Sequence, residues 1–144
     1  MSYSPPYYDA GLLLVAGQGT TEITGTAGLV GRRVAVEAGS VAEEEVRRLS
    51  GVLKDLTILT FSEPEPALLA VAQGEADAAV ADPVSLAAFR RSGGKVMAVG
   101  PRLTSETYSV VTLRGDRALS QEVGWIVERL RASGELDRLA AKWF

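Results

Sequence analysis

From Arg33 onward, apolar and polar residues alternate in a regular order. Val34-Ala35-Val36 reads as a strand and Gly39-Ser40 as a turn, and a helix follows to about Ser50 with Val46 and Leu49 on one face. Ser40 is placed as an N-cap, with Glu43 three residues on completing a capping box and Gly51 as the stop. Glu43, Glu44 and Glu45 lie early in this helix and Arg47 and Arg48 late, an order that suits the helix dipole. Leu56 to Phe61 predicts a second strand. Pro64 and Pro66 open a second helix, with Leu68, Leu69 and Ala72 as its apolar face and Gly74 as its end. Asp77 to Val80 predicts a third strand, closing at Asp82-Pro83. A third helix runs to about Arg91 and stops at Gly93-Gly94, and Lys95 to Val99 predicts a fourth strand. This alternation predicts an α/β fold with a mainly parallel sheet flanked by helices.

The ends of the chain are patterned differently. Pro5-Pro6 cannot sit inside a central strand or helix. Gly11 to Ala16 is a short apolar run, and Gly17 to Thr26, rich in Gly and Thr, reads as a loop or hinge. Tyr108 to Leu113 predicts a strand. Leu119, Val123, Ile126, Val127 and Leu130 then recur at helical spacing, Gly134 breaks the helix, and Leu136, Leu139, Ala140 and Trp143 continue a terminal one.

Composition narrows the chemistry. The chain has 144 residues, enough for one ordinary domain or two small lobes, and 47% of them are hydrophobic, so wholesale disorder is not expected. It contains 0 Cys and 0 His. Zinc sites built on those residues, thiol nucleophiles, imidazole bases and disulfides are therefore excluded. Net charge is −3 with no dominant basic stretch, which argues against nucleic acid as a partner. The Gly-rich segment lacks the Lys of a phosphate-binding loop. No apolar run approaches the ~20 residues that cross a bilayer. MSYSPPYYDA has no basic region or cleavage site, so the chain does not read as a secretory precursor.

Four segments, YSPPYYDAGLLLVA at 3–16, LVGRRVAVEAGSVAEEEV at 29–46, ALLAVAQGEADAAVADP at 67–83 and LRASGELDRLAAKWF at 130–144, resemble in order the bacterial extracellular solute-binding proteins of family 3, the polar-amino-acid receptors of ABC transporters. The resemblance implies a type II periplasmic-binding-protein-like lobe. It assigns residues 1–16 to the end of lobe 1 and an outgoing hinge strand, and 17–106 to the α/β lobe 2. Residues 107–113 become the return hinge strand and 114–144 a helical tail that normally belongs to lobe 1. The N-terminal part of lobe 1 has no counterpart here, and with it goes the family's arginine for the ligand carboxylate. A fragment, a split or shortened gene, and a partner chain that completes the lobe all remain open. The tail's apolar stripe is expected to fold onto lobe 2 or onto a second copy of the chain, giving a homodimer through the C-terminal helices.

The resemblance places the ligand's α-carboxylate at Gly39, Ser40 and Val41, where helix-start N–H groups and the Ser40 hydroxyl form an anion site. Val41 stands where a hydroxyl residue is common. The plain alternative is that Ser40 only caps its helix. Asp82 is expected to accept hydrogen bonds from the ligand ammonium group, and the alternative is an N-cap ahead of Pro83. Tyr8 is expected to touch the ligand from the hinge, against a plain packing role. Asp77 is expected to pair locally, and Arg32-Arg33 and Arg90-Arg91 to be surface charges or a face for the transporter.

A helix-start anion site opposed by a carboxylate matches a zwitterion without any catalytic group. The resemblance therefore implies the solute-binding component of an amino-acid ABC transporter, not an enzyme, with no cofactor and no metal. Its partners would be a small amino acid and the transporter's membrane subunits, outside the cytoplasmic membrane. The alternatives are a non-binding lobe that self-associates, and a dehydratase-like enzyme with Asp82 or Glu37 as a carboxyl acid.

Overall fold

In the computed structural model, which describes all 144 residues, alternating side chains of the apolar strands divide one sheet into two faces. In chain order the strands are β1 (Ser2–Tyr3), β2 (Tyr8–Asp9), β3 (Leu13–Gly17), β4 (Arg33–Glu37), β5 (Thr57–Phe61), β6 (Ala78–Ala81), β7 (Val96–Val99), β8 (Thr107–Tyr108) and β9 (Val111–Thr112). The α-helices are α1 (Val41–Ser50), α2 (Pro64–Ala72), α3 (Pro83–Arg91), α4 (Arg117–Ala132) and α5 (Glu135–Trp143). A short 3₁₀ turn spans Thr26–Leu29. Two compact units result, one of residues 11–104 and one made of both chain ends, 1–10 with 105–144.

The larger unit holds a five-stranded sheet in the order β5-β4-β6-β3-β7. β4 pairs in parallel with β5 and β6, as the strand–helix alternation predicts. β3 runs antiparallel to both β6 and β7, so the sheet is mixed. The apolar run at 12–15, expected as a hinge strand, therefore lies inside this sheet, and the division between units falls at 10/11 and 104/105.

Period-two alternation decides what each face receives. Leu14, Ala16, Val34, Val36, Ala78 and Val80 pack with Ala42, Val46 and Leu49 of α1. Val15, Ala35, Ala79 and Ala81 pack on the other face with Ala67, Leu68, Ala70 and Val71 of α2 and Leu86 and Phe89 of α3. Alanines at 35, 79 and 81 leave room for α2 and α3. The face of α2 differs from the expected one, because Leu69 and Ala72 point to solvent while Ala67, Leu68 and Val71 are buried. A strongly apolar helix has little amphipathic contrast from which to choose a side.

In the unit of chain ends, β1 pairs with β9 and β2 with β8, each an antiparallel ladder of two residues. Pro5 and Pro6 lack the N–H that would continue the ladder between them. The expected single strand over 108–113 is thus two short pieces. Asp116 caps α4 by accepting the Leu119 N–H at 3.0 Å. Gly134, at a left-handed φ of 74°, separates α4 from α5.

Candidate functional site

The two candidate segments leave the sheet side by side. β4 and β6 are adjacent and parallel, with Val34 opposite Ala78 and Ala35 opposite Ala79. Carrying that register forward sets Glu37 beside Ala81, so the Gly39–Ser40 turn and Asp82 both emerge at the carboxyl edge. In open α/β sheets this is the edge where ligands bind.

Gly39 has φ 72°, which an L side chain rarely adopts, and the chain turns there into α1. Ser40 is the N-cap: its Oγ accepts the Glu43 N–H at 3.2 Å and donates to the Glu37 carbonyl at 2.7 Å. The capping box forms with a shift. Glu43 Oε2 accepts the N–H of Gly39 at 2.7 Å, instead of that of Ser40. Glu43 Oε1 accepts from Arg47 Nε at 3.0 Å and Nη2 at 2.5 Å. The Gly39 N–H, and then Arg47, hold the Glu43 carboxyl below the usual carboxylate range. The chain thus already supplies one carboxylate to this turn. The N–H groups of Val41 and Ala42, first in the helix, have no acceptor within the chain. They are the donors left for an outside anion.

Asp82 is tightly engaged. Its Oδ1 accepts the N–H of Val84 at 2.8 Å and of Ser85 at 2.9 Å, and its Oδ2 accepts the Ser85 hydroxyl at 2.6 Å. The half-buried carboxylate therefore caps α3, and its Oδ2 retains acceptor capacity for a further donor.

Tyr8 belongs to the other unit. Its half-buried ring packs against Phe144, with centroids 4.5 Å apart, and against Tyr108 at 6.0 Å. The structure thus gives Tyr8 packing partners, while Gly39, Ser40, Val41 and Asp82 share one sheet edge. Asp77 pairs with Arg33, whose Nε lies 3.1 Å from Oδ2, and Arg32 pairs with Glu22. Arg33 chiefly, by hydrogen bonding, draws the Asp77 carboxyl below its usual range. A hollow of about 400 Å³ lies at the opposite end of the sheet, lined in part by Thr20, Arg32 and Asp77. It is away from Ser40 and Asp82, and its charged side chains are paired with one another or with Arg33. In sequence, Arg47 reads as a partner of the helix dipole; the signal for its pairing is its spacing of four from Glu43.

No family model matches the chain. The glutamine-binding protein GlnH of an ABC transporter in Bacillus subtilis (strain 168) is 24% identical over 99% of this chain and 51% of its own length. An ancestral arginine-binding protein solved with arginine superposes at a TM-score of 0.64 with 26% identity, over 99% of this chain and 63% of that one. The open substrate-binding domain 2 of Lactococcus lactis GlnP superposes at 0.88 with 19% identity, over 99% of this chain and 61% of that one, a likeness of fold. The chain spans about half the length of the curated relatives it matches. The resemblance to amino-acid-binding proteins of ABC transporters holds across nearly the whole chain, and these relatives are solute-binding proteins, not enzymes.

Proposed function

We propose that this chain is the ligand-contacting part of an amino-acid receptor serving an ABC transporter. It would hold the α-carboxylate at the N–H groups that open α1 and the α-amino group at Asp82. The observation that carries the reading is the shared edge: a helix start with the open N–H groups of Val41 and Ala42, and a carboxylate, leave adjacent parallel strands at the same end. A zwitterion satisfies both ends of that arrangement with hydrogen bonds alone, and no bond need be made or broken. Glutamine and arginine, named for the relatives, are the first ligands to try. The membrane subunits of such a transporter would be the protein partners, and the place of work would lie outside the cytoplasmic membrane. No helix of the chain is long and apolar enough to cross a membrane.

Isothermal titration with L-glutamine and L-arginine tests the reading. Saturable heat at micromolar to millimolar ligand, weakened by Asp82→Ala, supports it. No heat at millimolar ligand sinks it for this chain. A second reading, a lobe that binds nothing by itself, is favoured by one observation: Glu43 already occupies the Gly39 N–H, and Asp82 already caps α3. The same titration separates the two.

A further inference from the structure

The Gly39–Ser40 turn carries its own negative charge, and the structure shows how that charge is handled. Glu43 divides its carboxylate: Oε2 faces the Gly39 N–H and Oε1 faces Arg47. Glu43 is mostly covered, with its side chain 13% exposed, whereas that of Arg47 is 64% exposed and makes no other hydrogen bond or ion pair. Glu45 is neutralised in the same way by Arg48, through Nε at 2.9 Å and Nη2 at 2.5 Å. Two of the three glutamates early in α1, Glu43 and Glu45, are therefore each paired with an arginine one turn later, while Glu44 is exposed to solvent.

We propose that Arg47 is a specificity-determining residue of this turn: by neutralising Glu43 it lets the helix start accept an anionic ligand group. The inference rests on the receptor reading and extends it to a residue that touches no ligand. Without Arg47, the Glu43 carboxylate at the Gly39 N–H would stand without its counter-charge at the turn that opens α1 and repel an incoming one. With Arg47, the pair is neutral, and the carboxylate at the Gly39 N–H adds no net charge against an incoming anion. As an exposed pair spaced by four on a helix, it adds little to folding, so its effect on an anion should exceed its effect on stability.

The test is a double-mutant cycle at low salt with two probes. L-Glutamine is followed by calorimetry. Acetate is followed at the Val41 and Ala42 amide resonances, and it needs no amino-acid site. Arg47→Ala is expected to weaken both probes about three- to fivefold, with the urea midpoint nearly unchanged, and Arg47→Lys to restore most of the loss. In a Glu43→Gln background, Arg47→Ala should have no further effect. The loss in Arg47→Ala should shrink at high salt, because screening falls within a few ångströms there. Equal affinities for wild type and Arg47→Ala, the same loss in the Glu43→Gln background, or no acetate response at those amides would overturn the proposal. If L-glutamine gives no heat with any variant, the receptor reading fails separately, and the acetate cycle still decides the role of Arg47.

Discussion

Residues 11–104 and the unit of chain ends use their apolar residues in opposite ways. In the first, strands and helices bury side chains on both faces of a five-stranded sheet. Apart from Ala10 and Val127, every fully buried apolar side chain belongs to it. In the second, α4 repeats Leu119, Val123, Ile126, Val127 and Leu130 at helical spacing, yet only Val127 is buried, and α5 buries nothing. Both regions obey the same local rules of caps, breakers and periodicity. The difference teaches that an amphipathic stripe specifies a helix and a face, whereas stability comes from what covers that face.

The largest expected effect exposes this contrast directly. Leu68 is fully buried on α2, in the cluster of Val15, Ala35 and Ala79. Leu68→Ala should cost about 3 kcal/mol in urea unfolding, from lost transfer energy and a cavity in a packed layer. Val127→Ala should cost only about 1 kcal/mol, since fewer carbons are removed and its helix neighbours Val123, Ile126 and Leu130 are only half-buried. Amide exchange should follow the same order, slow in β3, β4 and β6 and fast in α4 and α5. Equal losses for the two substitutions would mean that the unit of chain ends has a core of its own.

Asp82→Ala comes next. Removing the cap leaves the Val84 and Ser85 N–H groups without their acceptor, which should cost about 1 kcal/mol of stability. If the carboxylate also meets a ligand ammonium, amino-acid affinity should fall by a further ~1–3 kcal/mol. Asp82→Asn keeps an acceptor oxygen and separates the two: stability largely returns, whereas charge-assisted binding does not. Affinity untouched by both substitutions would leave Asp82 as a cap alone.

The larger unit was also the more legible in sequence, and for the same reason. Its strands and helices alternate at short range, with Pro64 and Pro83 at helix starts and Gly51 and Gly74 at helix ends, so element positions followed from local chemistry. The antiparallel course of β3 did not, because strand direction is decided by partners more than sixty residues away. The pairing of Arg33 with Asp77 likewise joins residues far apart in sequence. At the site, Ser40 and Asp82 were readable as caps and as ligand groups alike, since both uses need an oxygen at a helix start. The turn's occupation by Glu43, shifted to the Gly39 N–H, depends on the left-handed Gly39 backbone, which the sequence permits without requiring.

Acid should loosen both units, by a smaller amount. The carboxyls of Asp77, Glu43 and Glu45 in the larger unit, and of Glu135 beside Arg138 in the other, are drawn below their ordinary values by hydrogen bonds and arginine charges. A lowered folded pKa means that the unfolded chain binds the proton more readily. Their stabilising contribution is therefore complete above the ordinary carboxylate range, near pH 4 to 4.5, and drains away as pH falls below it. Urea midpoints should be flat from pH 6 to 8 and decline below about pH 4. An Arg33→Ala, Asp77→Ala double variant should show a shallower acid decline than wild type, and an unchanged decline would assign the acid effect to other carboxyls.

The smallest expected effect probes the uncovered side of the comparison. Trp125 is 61% exposed, with the Arg129 guanidinium carbon 4.6 Å from its ring centroid, and Trp143 is 53% exposed. A surface side chain with one cation–π contact contributes about 0.5–1 kcal/mol at most, so Trp125→Ala should barely move the urea midpoint. Indole emission should be that of water-exposed tryptophan and be quenched efficiently by iodide. These two residues hold all the tryptophan of the chain, so emission reports on the chain-end unit without interference from the larger one. Blue-shifted, unquenched emission that persists on dilution would mean that these rings are covered from within the chain, and the contrast between the two units would weaken. Emission that shifts with concentration would point instead to a second copy seated on α4 and α5. In that case Trp125→Ala or Trp143→Ala should lower the association seen by light scattering while leaving the stability of residues 11–104 unaltered.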